Sequence, residues 1–147
     1  MRVRWFALGL VVCVASGAAR ADDTAVGFVK FLSGEAIVIR NGQKVPLKLS
    51  SPIEEHDQLE TGPFSELGVT FRDDTRISLG AATRLNVGQF TFRPAEKRYG
   101  LVFRLVAGSL QYMSGLIAKL APDSVSISTP QFTVAVRGTR LLLRAEN

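Results

Sequence analysis

The sequence predicts an all-β protein: a single domain of short strands wound as a β-roll or solenoid-like coil, with a two-sheet β-sandwich as the alternative. Apolar and polar residues alternate with period two along most of the chain after residue 25. Turn residues interrupt this alternation at short intervals, as in all-β domains. The one stretch with helical character, 115–122, is too short to be stable as a helix by itself.

The part of the chain from Val29 to His56 is predicted to form short strands joined by turns and a loop. Val29 and Phe31 are predicted to share one face of the first strand. Asn41-Gly42 predicts a hairpin between two strands, because both residues tolerate the positive φ angles of a two-residue turn. A polar stretch with one proline, 50–56, is predicted to be a loop.

The middle third shows the most regular alternation of strand and turn. Leu67, Val69 and Phe71 form the clearest strand, and Asp73-Asp74 the turn after it. Aspartates between two strands usually bond their own backbone, so a turn is favoured over a pair of catalytic carboxylates. Further strands are predicted around 77–79, 85–87, 90–92 and 101–105, with a charged hairpin loop over 93–98.

The last third resumes the alternation after the ambiguous stretch 115–122, which fits one helical turn or a strand. Thr129-Pro130 predicts a corner, and a long strand is predicted from Phe132 to Val136. Phe71, Phe103 and Phe132 are predicted to anchor the core, where each buried side chain contributes about 1.5–3 kcal/mol.

Residues 1–21 are predicted to be a cleaved secretory signal peptide, which leaves 22–147 as the mature domain in the periplasm. A basic start precedes an apolar run over 5–15, and Ala19-Arg20-Ala21 has the small-x-small pattern of a cleavage site. The run is shorter than the ~20 residues that a membrane-spanning helix needs. Cys13, the one cysteine of the sequence, lies within this segment, so no disulfide is expected in the mature chain.

Charge gives little support for nucleic-acid binding once the signal segment is removed. The full sequence has 18 basic and 13 acidic residues, and three of the basic ones, Arg2, Arg4 and Arg20, precede the predicted cleavage site. The remaining 15 basic and 13 acidic residues nearly balance. The excess of basic residues is therefore mainly a property of the targeting segment.

Catalytic, metal and cofactor sites are not predicted. Glu54, Glu55, His56 and Asp57 form a dense cluster that could hold a metal or serve an enzyme, but four adjacent side chains rarely point at one ion, so a solvated loop is favoured. No Gly-x-Ser-x-Gly elbow and no phosphate-binding glycine loop is present.

Four arginines are candidates for binding an anionic surface: Arg104, Arg137, Arg140 and Arg144. For Arg137 the preferred interpretation is that its guanidinium braces the Thr129-Pro130 corner by hydrogen bonds. With Tyr99 and Tyr112, the arginines support an alternative function as a polysaccharide- or cell-wall-binding module.

Two motifs stand out in the sequence. Residues 57–62 (DQLETG) and 65–79 (SELGVTFRDDTRISL) are similar to the pattern G-D-x-I-x-T-G…L-x-F-x-D-G-T-x-L-x-L, and 129–139 (TPQFTVAVRGT) to the pattern T-P…V-x-V-R-G-T. Together these motifs resemble the FecR domain family. The similarity extends over about 26–143. His56 and Asp74 stand where the family usually has glycine. The motif positions carried over from the resemblance are Asp57, Thr61, Gly62, Asp73, Asp74, Thr75, Thr129, Pro130, Arg137, Gly138 and Thr139.

The resemblance implies a role in envelope signalling. Its best-known members are periplasmic sensor domains of membrane anti-sigma regulators, which carry a transmembrane helix where this chain has a signal segment. A free-standing secreted member is therefore expected, without assignment to iron uptake. Family members usually continue past Arg-Gly-Thr through a further hairpin, so two alternatives are open: the chain lacks the last strands, or a partner supplies them.

The expected function is a non-catalytic module that recognises a protein partner in the cell envelope. An open sheet edge presents unpaired backbone groups, so strand addition is the expected mode. A homo-oligomer formed through the same edge is a second expectation. An enzyme with a site around His56 is the remaining alternative.

Overall fold

The structure is a computed structural model that describes residues 24–146. The predicted signal peptide over 1–21, with Cys13, lies outside the described residues. Strands make up 60% of the described part and helices 9%, which confirms the all-β prediction. The strands are β1 Ala25–Ser33, β2 Ala36–Arg40, β3 Gln43–Pro46, β4 Pro52–Glu54, β5 Gln58–Thr61, β6 Glu66–Phe71, β7 Arg76–Leu79, β8 Arg84–Arg93, β9 Arg98–Met113, β10 Val125–Ser128, β11 Thr133–Ala135 and β12 Arg140–Ala145.

The twelve strands form one continuous curled sheet, a half-barrel, which corresponds to the rolled architecture and not to two separate sheets. The order is β3-β2-β5-β8-β9-β7-β6-β1-β4, and β10 and β12 also pair with β9. Neighbouring strands are antiparallel except for β9 and β10. The sheet therefore curls until the apolar faces of its two halves enclose one core.

Strand β9 connects the two halves because it bends in its middle. Its first part, 98–107, pairs with β8, and its last part, 110–113, pairs with β7 on one side and β12 on the other. Gly108 lies between these parts with φ of 91°, in the left-handed region. A Cβ there would collide with Thr83, so only glycine fits both the angle and the close approach.

The core is held by aromatic contacts between the halves. The Phe71 ring centroid lies 5.1 Å from that of Phe103 and 5.7 Å from that of Phe90, which confirms Phe71 and Phe103 as core anchors. The prediction for Phe132 is wrong, because its side chain is 48% exposed. The predicted long strand is only the three-residue β11, and Phe132 lies before it, in a tight turn.

A β-bulge overturns the prediction that Val29 and Phe31 share a face. Val29 lies opposite Val69 and Phe31 opposite Gly68, so Lys30 is an extra residue in β1. Because side-chain direction alternates with period two, one extra residue moves every later side chain to the other face. Val29 is buried, whereas Phe31 is 52% exposed on the outer face.

Local turn chemistry accounts for the remaining elements. Asn41 and Gly42 have φ of 51° and 76°, which confirms the hairpin between β2 and β3. The ambiguous stretch contains a short helix, α1, at Leu116–Leu120, followed by a 3-10 turn at Pro122–Ser124; another 3-10 turn lies at Pro94–Glu96. The predicted loop over 50–56 contains β4, which pairs with β1 and buries Ile53 completely.

Candidate partner-binding edge

The Asp73-Asp74 turn fastens β6 and β7 to the helix α1. The buried Asp73 carboxylate accepts hydrogen bonds from the Thr75 amide (3.1 Å), the Thr75 hydroxyl (2.7 Å) and the Ile117 amide (3.2 Å). Its backbone carbonyl accepts another from the Leu116 amide (2.7 Å). The carboxylate is therefore committed to structural donors, as the predicted turn requires.

The Asp57 carboxylate is bound by Arg40 on β2. It accepts hydrogen bonds from Arg40 Nε (2.8 Å), Arg40 Nη2 (2.6 Å) and the Glu54 amide (2.8 Å). Arg40 also lies 2.9 Å from the Glu54 carboxylate. The hydrogen bond to Asp57 raises the pKa of Arg40 against the opposing effect of burial, and the charges of Asp57 and Glu54 raise it further. This ion pair clamps the 54–57 turn to β2.

The side chains of the cluster over 54–57 have separate surroundings. Glu54 and Asp57 contact Arg40, Glu55 accepts a hydrogen bond from the Phe90 amide (3.2 Å), and His56 is exposed. Residues 24–146 contain no group of three or more His, Cys, Asp or Glu side chains that could hold a metal ion. The solvated-loop prediction fits Glu55 and His56, but Asp57 is buried because Arg40, 17 positions away, neutralises it.

Thr61 and Gly62 join β5 to the turns on either side. The Thr61 hydroxyl donates to the Gly80 carbonyl (2.6 Å) and accepts from the Thr83 amide (2.9 Å). The Gly62 amide donates to the Glu35 carbonyl (2.9 Å). These motif positions hold the turns at one end of the sheet.

The Thr129-Pro130 corner closes on itself, and Arg137 does not brace it. The Thr129 hydroxyl accepts from the amides of Gln131 (3.3 Å) and Phe132 (3.1 Å), and the Thr129 amide donates to the Phe132 carbonyl (2.7 Å). Arg137 is 83% exposed and lies 3.6 Å from the Asp123 carboxylate. The predicted bracing role is wrong, because the threonine hydroxyl already supplies what the turn needs.

Both positions where the family usually has glycine adopt left-handed backbone angles. His56 has φ of 68° and Asp74 has φ of 65°. Aspartate and histidine adopt this region more often than most residues, but each carries a Cβ that costs energy there relative to glycine. The two departures from the family motif therefore preserve the turns at some expense in stability.

We expect His56→Gly to stabilise the domain by about 0.5–1 kcal/mol, because glycine removes the Cβ strain at positive φ. Chemical unfolding followed by circular dichroism measures the change. His56→Ala is the matched control: it removes the imidazole but keeps the Cβ, and should give no gain. Equal stabilisation by both variants would show that the side chain, not the backbone angle, is responsible.

Tyr99 and Tyr112, the two tyrosines considered for glycan binding, do not lie side by side on the surface. Tyr112 is fully buried, and burial, with a contribution from the charge of Asp73, raises its pKa to about 12. Tyr99 is half-buried beside Phe92, with ring centroids 6.3 Å apart. Tyr112 therefore cannot contact a polysaccharide, which removes half of the aromatic support for that alternative.

The four candidate arginines are all exposed, but the structure divides them. Arg140 and Arg144 lie on β12, Arg137 in the loop before it, and Arg104 on the first part of β9 opposite Ser128. Only Arg140 and Arg144 share a strand and a face, on either side of Leu142.

Strand β12 has a free backbone edge within the described part of the chain. It pairs with β9 alone, in the register Arg140↔Met113 to Ala145↔Gly108. The Ser114 amide donates to the Thr139 carbonyl (3.0 Å), so Thr139 is a hydrogen-bonded position. Because such positions alternate in antiparallel pairs, the N–H and C=O groups of Arg140, Leu142 and Arg144 point away from β9.

The other free edges are short or contain proline. Strand β4 has three residues and begins with Pro52, β3 has four residues and ends with Pro46, and β11 has three residues. Proline and short length are common ways in which edge strands avoid pairing with other chains. The six-residue β12 has neither protection.

A groove of about 290 Å³ runs beside β12 on the outer face of the sheet. Leu142, which is 74% exposed, and Phe31, which the bulge in β1 turns outward, are among the residues that line it, with Ser78, Gly80 and Ser109 between them. Small residues keep the face low between Phe31 and Leu142, so Leu142 is the exposed apolar side chain nearest the free edge. A strand added at β12 would lie on the side of Leu142 away from this groove.

A larger cleft of about 540 Å³ lies near the start of β1, and the charged side chains that line it already have interaction partners. Of the residues that line it, Glu54 pairs with Arg40 and Glu55 with a backbone amide. Arg93 and Arg98 approach the Glu96 carboxylate at 3.7 and 3.8 Å. We therefore place the candidate site at the β12 edge.

The structure is an all-β domain formed by one curled sheet. Its buried polar side chains make hydrogen bonds that stabilise the turns between strands. Residues 57–147, more than half of the chain, match the family described as FecR protein, and both sequence motifs lie inside the match. The chain belongs to the FecR family. This family works in signalling and regulation in the cell envelope and is generally non-enzymatic.

No curated protein and no solved structure matches the chain. Among residues 24–146, no helix is long and apolar enough to cross a membrane.

Proposed function

We propose that the chain is a non-catalytic, periplasmic binding module that recognises an envelope protein partner by strand addition at β12. The observation that carries this proposal is the direction of the backbone N–H and C=O groups of three alternate residues, Arg140, Leu142 and Arg144. These groups point away from β9, toward the free edge of the sheet. A partner strand would satisfy these groups and extend the sheet. Membership of a signalling family supports a protein partner.

The periplasmic location rests on the signal peptide proposed for 1–21. We expect the protein in the periplasmic fraction of its native cell, with a mature amino terminus at Asp22. N-terminal sequencing of that fraction checks this expectation independently of any partner.

The test of strand addition is the pair Leu142→Pro and Leu142→Ala. Proline removes the outward N–H and leaves the bonds between β12 and β9 in place, since prolines are tolerated where an edge N–H faces solvent. Alanine removes the same apolar side chain but keeps the N–H. The two variants therefore separate backbone pairing from side-chain contact.

A photo-crosslinking amino acid at position 144 reads out the contact in the native envelope. We expect a crosslinked adduct with a discrete envelope protein in the wild type and in Leu142→Ala, and at least a tenfold loss in Leu142→Pro. The same crosslinker at position 104 should give no such adduct. An adduct unaffected by Leu142→Pro would overturn the proposal, and so would the absence of any adduct at position 144.

A further inference from the structure

We infer that the strand accepted by β12 carries an apolar residue flanked, two positions away on each side, by acidic residues. This inference rests on the proposed strand addition and names the chemistry of the partner. It follows from the side chains of the same three residues whose backbone groups point outward. In a strand, residues at spacing two share a face, so Arg140, Leu142 and Arg144 present charge, apolar surface and charge in a row.

The two arginines have no acidic partner within residues 24–146. No ion pair there involves Arg140 or Arg144. The residues opposite them on β9 are Met113 and Ser109. Beyond Met113 the next residue in the row is Arg76 on β7, which adds positive charge at this end.

An added strand would bring its own side chains opposite these arginines. Directly opposed residues of opposite charge stabilise a strand pair, and like charges destabilise it. Acidic residues at both flanking positions would meet both unpaired arginines. An apolar residue between them would lie opposite Leu142 and continue its exposed apolar surface beyond the edge of the sheet.

A second copy of this chain, paired in the symmetric register centred on Leu142, fits the edge poorly for the same reason. Residues 140–144 (RLLLR) read identically in both directions. An antiparallel copy centred on Leu142 would place Arg140 opposite Arg144 of that copy, and Arg144 opposite its Arg140. The two like-charge pairs disfavour this dimer, so we assign the edge to an acidic partner strand.

The test uses three acetylated and amidated heptapeptides that differ only in their flanking charges: TETVTET, TQTVTQT and TKTVTKT. Affinity is measured by titration of the mature chain, with amide chemical shifts mapping the binding site. We expect the acidic peptide to bind about tenfold more tightly than the lysine peptide at low salt, and the difference to shrink at 0.5 M salt. Chemical shifts should concentrate on β12.

Charge reversal provides the matched control. Arg140→Glu with Arg144→Glu should invert the preference, so that the lysine peptide binds more tightly, whereas Arg104→Glu should leave it unchanged. Both changes affect exposed side chains, so the fold is retained. Equal affinity for the three peptides, or a preference that the double reversal does not alter, would overturn the inference.

Failure of the inference and failure of the proposed function give different results. If all three peptides bind equally and Leu142→Pro abolishes all of them, strand addition stands and the acidic specificity is wrong. If Leu142→Pro leaves the acidic peptide bound, strand addition itself is wrong. A dimer in sedimentation experiments that Leu142→Pro dissociates would assign the edge to a second copy and overturn the inference.

Discussion

Replacing Asp73 with alanine is expected to lower the free energy of unfolding by about 3–4 kcal/mol. The substitution leaves three donors without an acceptor: the Thr75 amide, the Thr75 hydroxyl and the Ile117 amide. Each unsatisfied buried group costs about 1–3 kcal/mol, and local rearrangement recovers part of the sum. Urea unfolding followed by circular dichroism measures the loss.

Two controls separate the buried carboxylate from the turn itself. Asp73→Asn keeps one acceptor oxygen and should lose less than Asp73→Ala. Asp74→Asn changes the exposed neighbour, and asparagine tolerates the same positive φ, so its effect should stay within about 0.5 kcal/mol. Similar losses at positions 73 and 74 would contradict the assignment of Asp73 as the residue that fastens the turn to α1.

The sequence was sufficient to predict most of the strands and the Asn41-Gly42 and Asp73-Asp74 turns, because alternation and turn chemistry are local. It missed β4, which lies within the predicted loop over 50–56. It was insufficient where one residue changes the register. The extra residue in β1 moves Phe31 to the surface, and no local signal announces a bulge at Lys30. Phe132 was wrongly predicted to lie in a strand and in the core. It belongs to the turn at Thr129, which ends directly before β11 begins.

The buried charges could not be predicted from their neighbourhood in the sequence. Asp57 lies in a polar stretch and looks solvated, but its partner Arg40 comes from a strand 17 positions earlier. Only the pairing of β2 with β5 brings the two together. The same holds for the candidate arginines. The sequence shows which residues are arginines, but the direction of the backbone groups at β12 depends on the pairing of β12 with β9.

Loss of Arg40 is the second change for which we expect a large effect. Arg40→Met should destabilise the domain by about 3–4 kcal/mol, because it leaves the Asp57 carboxylate, 1% exposed, with only the Glu54 amide as donor. Breaking a buried ion pair from one side costs more than the pair contributes, since the remaining charge stays desolvated. Chemical denaturation of wild type and variant measures the difference.

The double variant Arg40→Met/Asp57→Leu tests whether the cost comes from the stranded charge. Removing both partners should recover at least about 1 kcal/mol of the loss, because replacing a buried pair by apolar residues is often nearly neutral. Arg84→Met is the surface control. Arg84 is half exposed and pairs with Glu60 at 3.1 Å, so its loss should cost about 0.5 kcal/mol or less. If Arg40→Met and Arg84→Met cost the same, Arg40 is an ordinary surface residue.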